Sequence, residues 1–223
     1  MILCLVTDRR RLGTMLGLPE AGWAEALRQQ VIGAAAGGVD FIQVREPDLE
    51  AAELAALVRS LMAASSSSQA RILVNDRIDV ALATGASGVH LKEQSILPSE
   101  VRRIAPRDFL IGCSVHDAGA IAARKSADFL TAGTVMPTAS KQVVDYLNKD
   151  GLSRIVEAAA GQPVLGIGGL DLPSIPMLAS AGAAGMAAIG AFMPQAAGGD
   201  VAENVQKRVT ALRFALESAT KRP

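Results

Sequence analysis

The sequence predicts a single (β/α)8 barrel over residues 1–223, and three observations carry that expectation. Short apolar runs alternate with longer Ala-rich amphipathic stretches along the chain, eight of each, the count of a closed barrel. Charged and hydroxyl residues recur directly after the apolar runs, as they do where strand C-terminal ends converge on a ligand site. Glycine-bearing turns at Gly37-Gly38-Val39-Asp40, Gly85-Ala86-Ser87-Gly88 and Ala181-Gly182-Ala183-Ala184-Gly185 close a helical stretch and open the next strand. A doubly wound open sheet is the rival architecture and usually needs fewer strands.

The expected strands are Ile2–Thr7, Phe41–Arg45, Ile72–Asn75, Gly88–Leu91, Leu110–Ser114, Phe129–Ala132, Val164–Ile167 and Gly185–Ile189. Between and after them the expected helices are Trp23–Ala36, Leu49–Ala63, Ile78–Thr84, Pro98–Ile104, Ala118–Lys125, Leu152–Ala160, Leu172–Ala181 and Val201–Ser218. Ala, Leu, Arg and Glu favour the helical state. Leu54, Leu57, Val58 and Leu61 show the three-and-four spacing of one buried face. Ser65-Ser66-Ser67-Ser68 reads as a turn on the face opposite the site. No composition shift marks a domain boundary.

Composition narrows the function classes. Half of the residues are apolar, enough for a large core, and 22 Lys plus Arg balance 22 Asp plus Glu. A neutral chain with 3% aromatics argues against nucleic acid or a membrane surface as partner. Cys4 and Cys113 each sit in an apolar run and read as reduced, buried thiols, as in a cytoplasmic protein. The apolar start soon meets Asp8-Arg9-Arg10-Arg11, so a first strand is expected there, not a signal peptide. No run of 18 apolar residues predicts a membrane-spanning helix.

The polar clusters are Gln43-Val44-Arg45-Glu46, Val74-Asn75-Asp76-Arg77, Ser114-Val115-His116-Asp117 and Pro137-Thr138-Ala139-Ser140-Lys141. Gln43 and Arg45, two apart, share a strand face; an ordinary Arg45–Glu46 ion pair is the plainer alternative. Thr138, Ser140 and Lys141 combine two hydroxyls and an ammonium suited to a diphosphate, or form a solvated loop. Asp76 suits Mg²⁺, which takes one or two carboxylates with water and phosphate oxygens. Capping of the following helix by Asn75 or Asp76 is equally open. His116, just past a strand end, is a candidate acid/base or donor. His90, inside its strand, reads instead as a hydrogen-bonded interior residue. Gly168-Gly169 and Gly190, ending the last two strands, let phosphate oxygens approach the backbone where barrels commonly bind phosphate; tight turns alone are the alternative.

Taken in order, Leu5-Val6-Thr7-Asp8, Gln43-Val44-Arg45-Glu46, Asn75-Asp76-Arg77, Gly88-Val89-His90-Leu91, Gly112-Cys113-Ser114-Val115-His116, Pro137-Thr138-Ala139-Ser140-Lys141 and Ile167-Gly168-Gly169 resemble thiamine phosphate synthases. Part of the set is shared with their sister group, the thiazole tautomerases. The resemblance covers nearly the whole chain and implies a (β/α)8 barrel that binds small phosphorylated thiazole and pyrimidine substrates, with a homo-oligomer allowed. In the synthase reaction hydroxymethylpyrimidine diphosphate loses diphosphate, and the thiazole nitrogen takes the pyrimidine methylene. The resemblance places Gln43, Arg45 and Asn75 at the diphosphate and pyrimidine. It places Asp76 at Mg²⁺, Ser114 beside the reacting centre, and Thr138, Ser140 and Lys141 at the diphosphate, with Lys141 and His116 as further catalytic candidates. Gly168, Gly169 and Gly190 would take the thiazole phosphate.

Two departures stand out. Pro47 follows Arg45-Glu46 where the synthase pattern has Lys. Lys92-Glu93-Gln94-Ser95 follows His90-Leu91 where it has Gly-Gln and then an Asp that ligates metal. Glu93 is a candidate substitute ligand, and Lys92 a candidate substitute for part of the metal's charge. The favoured expectation is a divergent synthase. A metal-free tautomerase working through His116 is the alternative, and a non-catalytic thiazole- or thiamine-phosphate-binding protein is a third.

Overall fold

In the computed structural model, residues 1–138, 145–195 and 199–220 are described. Eight parallel strands close into a barrel in sequence order, with β8 returning to β1. They are β1 (Ile2–Val6), β2 (Phe41–Val44), β3 (Arg71–Asn75), β4 (Gly88–Leu91), β5 (Leu110–Val115), β6 (Phe129–Gly133), β7 (Val164–Ile167) and β8 (Gly185–Ala188). The expected open-sheet rival is therefore set aside. Helices α1 (Arg9–Met15), α2 (Trp23–Ala36), α3 (Ala51–Ala64), α4 (Ile78–Thr84), α5 (Pro98–Ile104), α6 (Asn148–Ala158), α7 (Ile175–Ser180) and α8 (Val201–Thr220) lie between and after them.

Strand alternation divides the apolar residues into two sets. Leu3, Leu5, Ile42, Val44, Ile72, Val74, Val89, Ile111, Cys113, Leu130 and Ala132 face outward, onto the helices. Cys4, Val6, Leu73, Phe129, Leu165 and Ala187 fill the barrel. Phe41 and Phe129 stack inside it with ring centroids 5.1 Å apart, a geometry that adds attraction to area burial. Gly112 is on this inner face, because a Cβ there would stand 2.3 Å from Phe129 and 2.8 Å from His90. Ser114, two residues on, shares that face. Both cysteines are buried, and desolvation raises their thiols to about 12, so they stay protonated as packing residues.

Two expected helices change character. The β5–β6 crossover, Ala118–Arg124, is 3-10 helix, and the stretch from Leu172 opens as 3-10 before α7. One α-helix was not expected. Asp8-Arg9-Arg10-Arg11 starts α1, capped by the Asp8 carboxylate, which accepts from the Arg11 amide at 2.9 Å.

Candidate active site

The C-terminal end of β1 is tied to that of β2. Thr7 Oγ1 donates to Glu46 Oε1 at 2.6 Å and accepts from the Arg45 amide at 2.9 Å. The Arg9 amide and guanidinium also donate to Glu46, and that guanidinium forks onto Asp48 with two bonds of 2.7 Å. Glu46 is thus the partner of Arg9, not of Arg45. Burial pushes its carboxyl up, against the opposing pull of Thr7 and Arg9. Arg45 is exposed, and its guanidinium has no hydrogen bond or ion pair among the described residues. It is left to face solvent or a ligand.

Gln43 points into the barrel and donates from Nε2 to Asn75 Oδ1 at 2.8 Å, linking β2 to β3. Its Oε1 is buried without a partner among the described residues. One strand further, His90 is the interior residue its sequence position suggests, with Nε2 2.8 Å from Thr131 Oγ1. Desolvation lowers its pKa to about 4, so the imidazole is neutral at pH 7.

Asp76 directly follows β3 in the left-handed region, with φ of 59°, which short polar Asp tolerates better than most residues. Its amide donates to His90 O at 2.8 Å. It does not cap α4: Arg77 holds the cap position, without a side-chain cap bond. The Asp76 carboxylate instead meets Lys92 Nζ at 2.7 Å and accepts from the Ser95 hydroxyl. Burial opposes ionisation, but Lys92 and Ser95 outweigh it and hold the carboxyl below its ordinary value.

Glu93 turns away from Asp76. Its carboxylate meets His116 Nδ1, and its carbonyl accepts from the buried Arg124 guanidinium. The loops after β4 and β5 are thereby joined, and Glu93 is engaged in a pair with His116. Among the described residues no group of three His, Cys, Asp or Glu is gathered to hold a metal. The donors do fit Mg²⁺ in another way. Asp76 offers one ionised carboxylate, and Mg²⁺ commonly completes its shell with water and substrate phosphate oxygens. The exposed Lys92 side chain, 63% accessible, is free to swing aside.

Ser114 and Thr138 are half-buried past the middle strands. Ser140 and Lys141 lie outside the described residues. At the β7 end, Gly168 and Gly169 have φ of 97° and 67°. A Cβ on Gly168 would stand 2.5 Å from Thr134, and one on Gly169 would stand 2.3 Å from Pro137 O. These glycines are required by backbone shape and by the β6 loop packed on them. At Gly190, by contrast, a Cβ would meet only the Arg11 guanidinium, at 3.4 Å. A concavity of about 700 Å³ lies at the opposite end of the barrel, near Asp40 and Arg71, where conserved chemistry is not normally built.

Fold and site together define an α/β-barrel protein with acidic, amide and cationic groups at the C-terminal ends of its strands. The sequence profile described as thiamine monophosphate synthase matches residues 5–192. A thiamine-phosphate synthase from Methanospirillum hungatei is 37% identical over 159 residues, covering 70% of this chain and 77% of that one. Another from Pyrococcus abyssi is 35% identical over 217 residues, covering 96% and 94%. The structure of thiamine phosphate pyrophosphorylase from Pyrococcus furiosus superposes with a TM-score of 0.78 at 31% identity, over 98% of this chain and 96% of that one. The chain belongs to the thiamine monophosphate synthase family.

Proposed function

We propose that this protein is a transferase of thiamine biosynthesis that couples hydroxymethylpyrimidine diphosphate to thiazole phosphate and releases diphosphate. One observation carries the site assignment. The Gln43–Asn75 pair (2.8 Å) and the Asp76 carboxylate stand at the ends of adjacent strands, with Arg45 uncommitted beside them and Ser114 two strands on. Amide, carboxylate and guanidinium therefore converge where a pyrimidine and its diphosphate would sit.

The bond to form joins the thiazole nitrogen to the pyrimidine methylene, and the bond to break joins that methylene to the diphosphate oxygen. The Gln43 and Asn75 amides orient the pyrimidine, and the unused Gln43 Oε1 accepts one of its N–H groups. Arg45 meets the departing charge, with Thr138, Ser140 and Lys141 assigned beside it by the family resemblance. Asp76 would hold Mg²⁺, which would supply charge neutralisation for the diphosphate leaving group. By the family resemblance, Ser114 would sit beside the reacting carbon. The Gly190 backbone receives the thiazole phosphate. Stabilising the leaving charge with preset groups is the largest contribution such a site makes.

Two substitutions test the assignment. Asp76→Asn should lower kcat at least a hundredfold while leaving thiazole phosphate affinity within about twofold. Gly190→Val, which brings bulk to the open backbone, should weaken thiazole phosphate by tenfold or more, about 1.4 kcal/mol. Normal turnover in Asp76→Asn would remove the metal role. Normal affinity in Gly190→Val would remove the phosphate site.

A further inference from the structure

The three consecutive arginines after β1 do not share one fate. Successive helical residues are turned by about 100°, so positions 9 and 11 face opposite sides of α1. In the barrel β1 lies between β2 and β8, so those two sides look toward the ends of different strands. Arg9 takes the β2 side, bound to Glu46 and by two 2.7 Å bonds to Asp48. Arg10 joins it, with Nε 3.0 Å from Asp48 Oδ2. Two carboxylates there balance two guanidiniums. Arg11 takes the β8 side. Where Gly190 lacks a Cβ, the nearest heavy atoms to that position are Arg11 Nη2 at 3.4 Å and Nη1 at 3.9 Å. Its main-chain N–H is taken by Asp8, and among the described residues the exposed guanidinium has no hydrogen bond or ion pair.

We propose that Arg11 is a phosphate-binding residue, supplying the positive charge over the Gly190 backbone for the phosphomonoester of the thiazole. The proposal rests on the reading above that the β8 end takes that phosphate. A phosphomonoester carries nearly two negative charges at neutral pH, and backbone N–H groups bring none to balance them. The other guanidinium at this end, Arg208, is already used: it pairs with Asp171 and donates from Nε to Ala191 O at 3.1 Å. It braces the loop, whereas Arg11 is uncommitted. A planar fork of donors also suits phosphate oxygens in pairs. Bulk at residue 190 and loss of charge at residue 11 would then injure the same interaction from opposite sides.

The test is calorimetric titration of Arg11→Gln, Arg11→Lys and Gly190→Val with thiazole phosphate and with its dephosphorylated alcohol, at two salt concentrations. Arg11→Gln should bind thiazole phosphate at least tenfold more weakly, bind the alcohol as the native protein does, and show a shallower salt dependence. Arg11→Lys should recover part of the loss. Native affinity and salt dependence in Arg11→Gln, or an equal loss for phosphate and alcohol, would overturn the proposal. The two readings separate cleanly. If Gly190→Val loses binding while Arg11→Gln does not, the β8 site stands and Arg11 has no part in it. If Gly190→Val binds normally, the site itself is misplaced, and the proposal falls with it. Because Arg11 is exposed, unfolding curves of its variants should overlay that of the native protein.

Discussion

Asp76 Oδ2 and Lys92 Nζ form a 2.7 Å ion pair across the ends of β3 and β4, so the carboxylate assigned to the metal already has a cation of its own. On the proposed assignment, Mg²⁺ would have to displace that ammonium. Lys92→Met should therefore bind Mg²⁺ more tightly in the absence of substrate, by threefold to tenfold, given about 1 kcal/mol for such a pair. Titration calorimetry of the free protein measures this directly. Unchanged affinity would mean that Lys92 does not compete for the metal's ligand.

The Gln43–Asn75 bond makes a second expectation. Asn75→Ala removes the acceptor of the Gln43 amide, so that both polar ends of that side chain lack a partner among the described residues. KM for the pyrimidine diphosphate should rise tenfold or more, with thiazole phosphate affinity unchanged. Stability should drop by about 1–3 kcal/mol, the usual cost of a stranded buried polar group. An equal rise in both substrate constants would contradict the division of the site into a pyrimidine half and a thiazole half.

These two pairs also mark what the sequence made legible. Strand positions followed from alternation and glycine turns, because a barrel strand buried on both faces has few ways to read. Gly88–Leu91 and Val164–Ile167 match residue for residue. Helix α1 was not legible: seven residues opening with three arginines carry too short a periodic signal, although the Asp8 cap three residues before Arg11 was a usable clue. Asp76 was legible as a candidate, and Lys92 as a cation near its metal site, but the Ser95 contact was not. Lys92 and Ser95 lie sixteen and nineteen residues away, and only closure of the barrel brings the β4 loop onto the β3 end. The same holds for Glu93, whose pairing with His116 depends on the neighbouring β5 loop. The glycines of the β7 end were legible as a feature for a different reason from their main structural one, which is the β6 loop packed against them.

The clamp between β1 and β2 predicts a stability effect. Glu46→Ala leaves the buried Arg9 guanidinium with Asp48 alone and strips the acceptor from Thr7 Oγ1. Breaking one partner of a buried pair costs about 3–5 kcal/mol, and the surviving Asp48 contact places the loss at the lower end, about 3 kcal/mol. Urea unfolding gives the number. A loss under about 1 kcal/mol would show that Asp48 carries the clamp by itself.

His90 sets an acid limit. The fold holds it neutral, with a pKa of about 4 against an ordinary 6.5, whereas the unfolded chain protonates it below 6.5. Its contribution to stability is complete above pH 6.5 and is lost as pH falls toward 4, by about 3 kcal/mol. His90→Gln, which keeps an amide donor for Thr131, should lose correspondingly less stability than the native protein between pH 7.5 and pH 4. Parallel losses in the two proteins would assign the acid sensitivity elsewhere.

On the proposed reading, one barrel mouth joins a pyrimidine methylene to a thiazole nitrogen while releasing diphosphate. Phosphorus NMR of the purified protein with hydroxymethylpyrimidine diphosphate, thiazole phosphate and Mg²⁺ follows both phosphorus pools at once. Free diphosphate and thiamine phosphate should appear in equal amounts, and neither should form once the metal is chelated. Diphosphate released without thiamine phosphate, or no reaction of the pair at all, would contradict the claim.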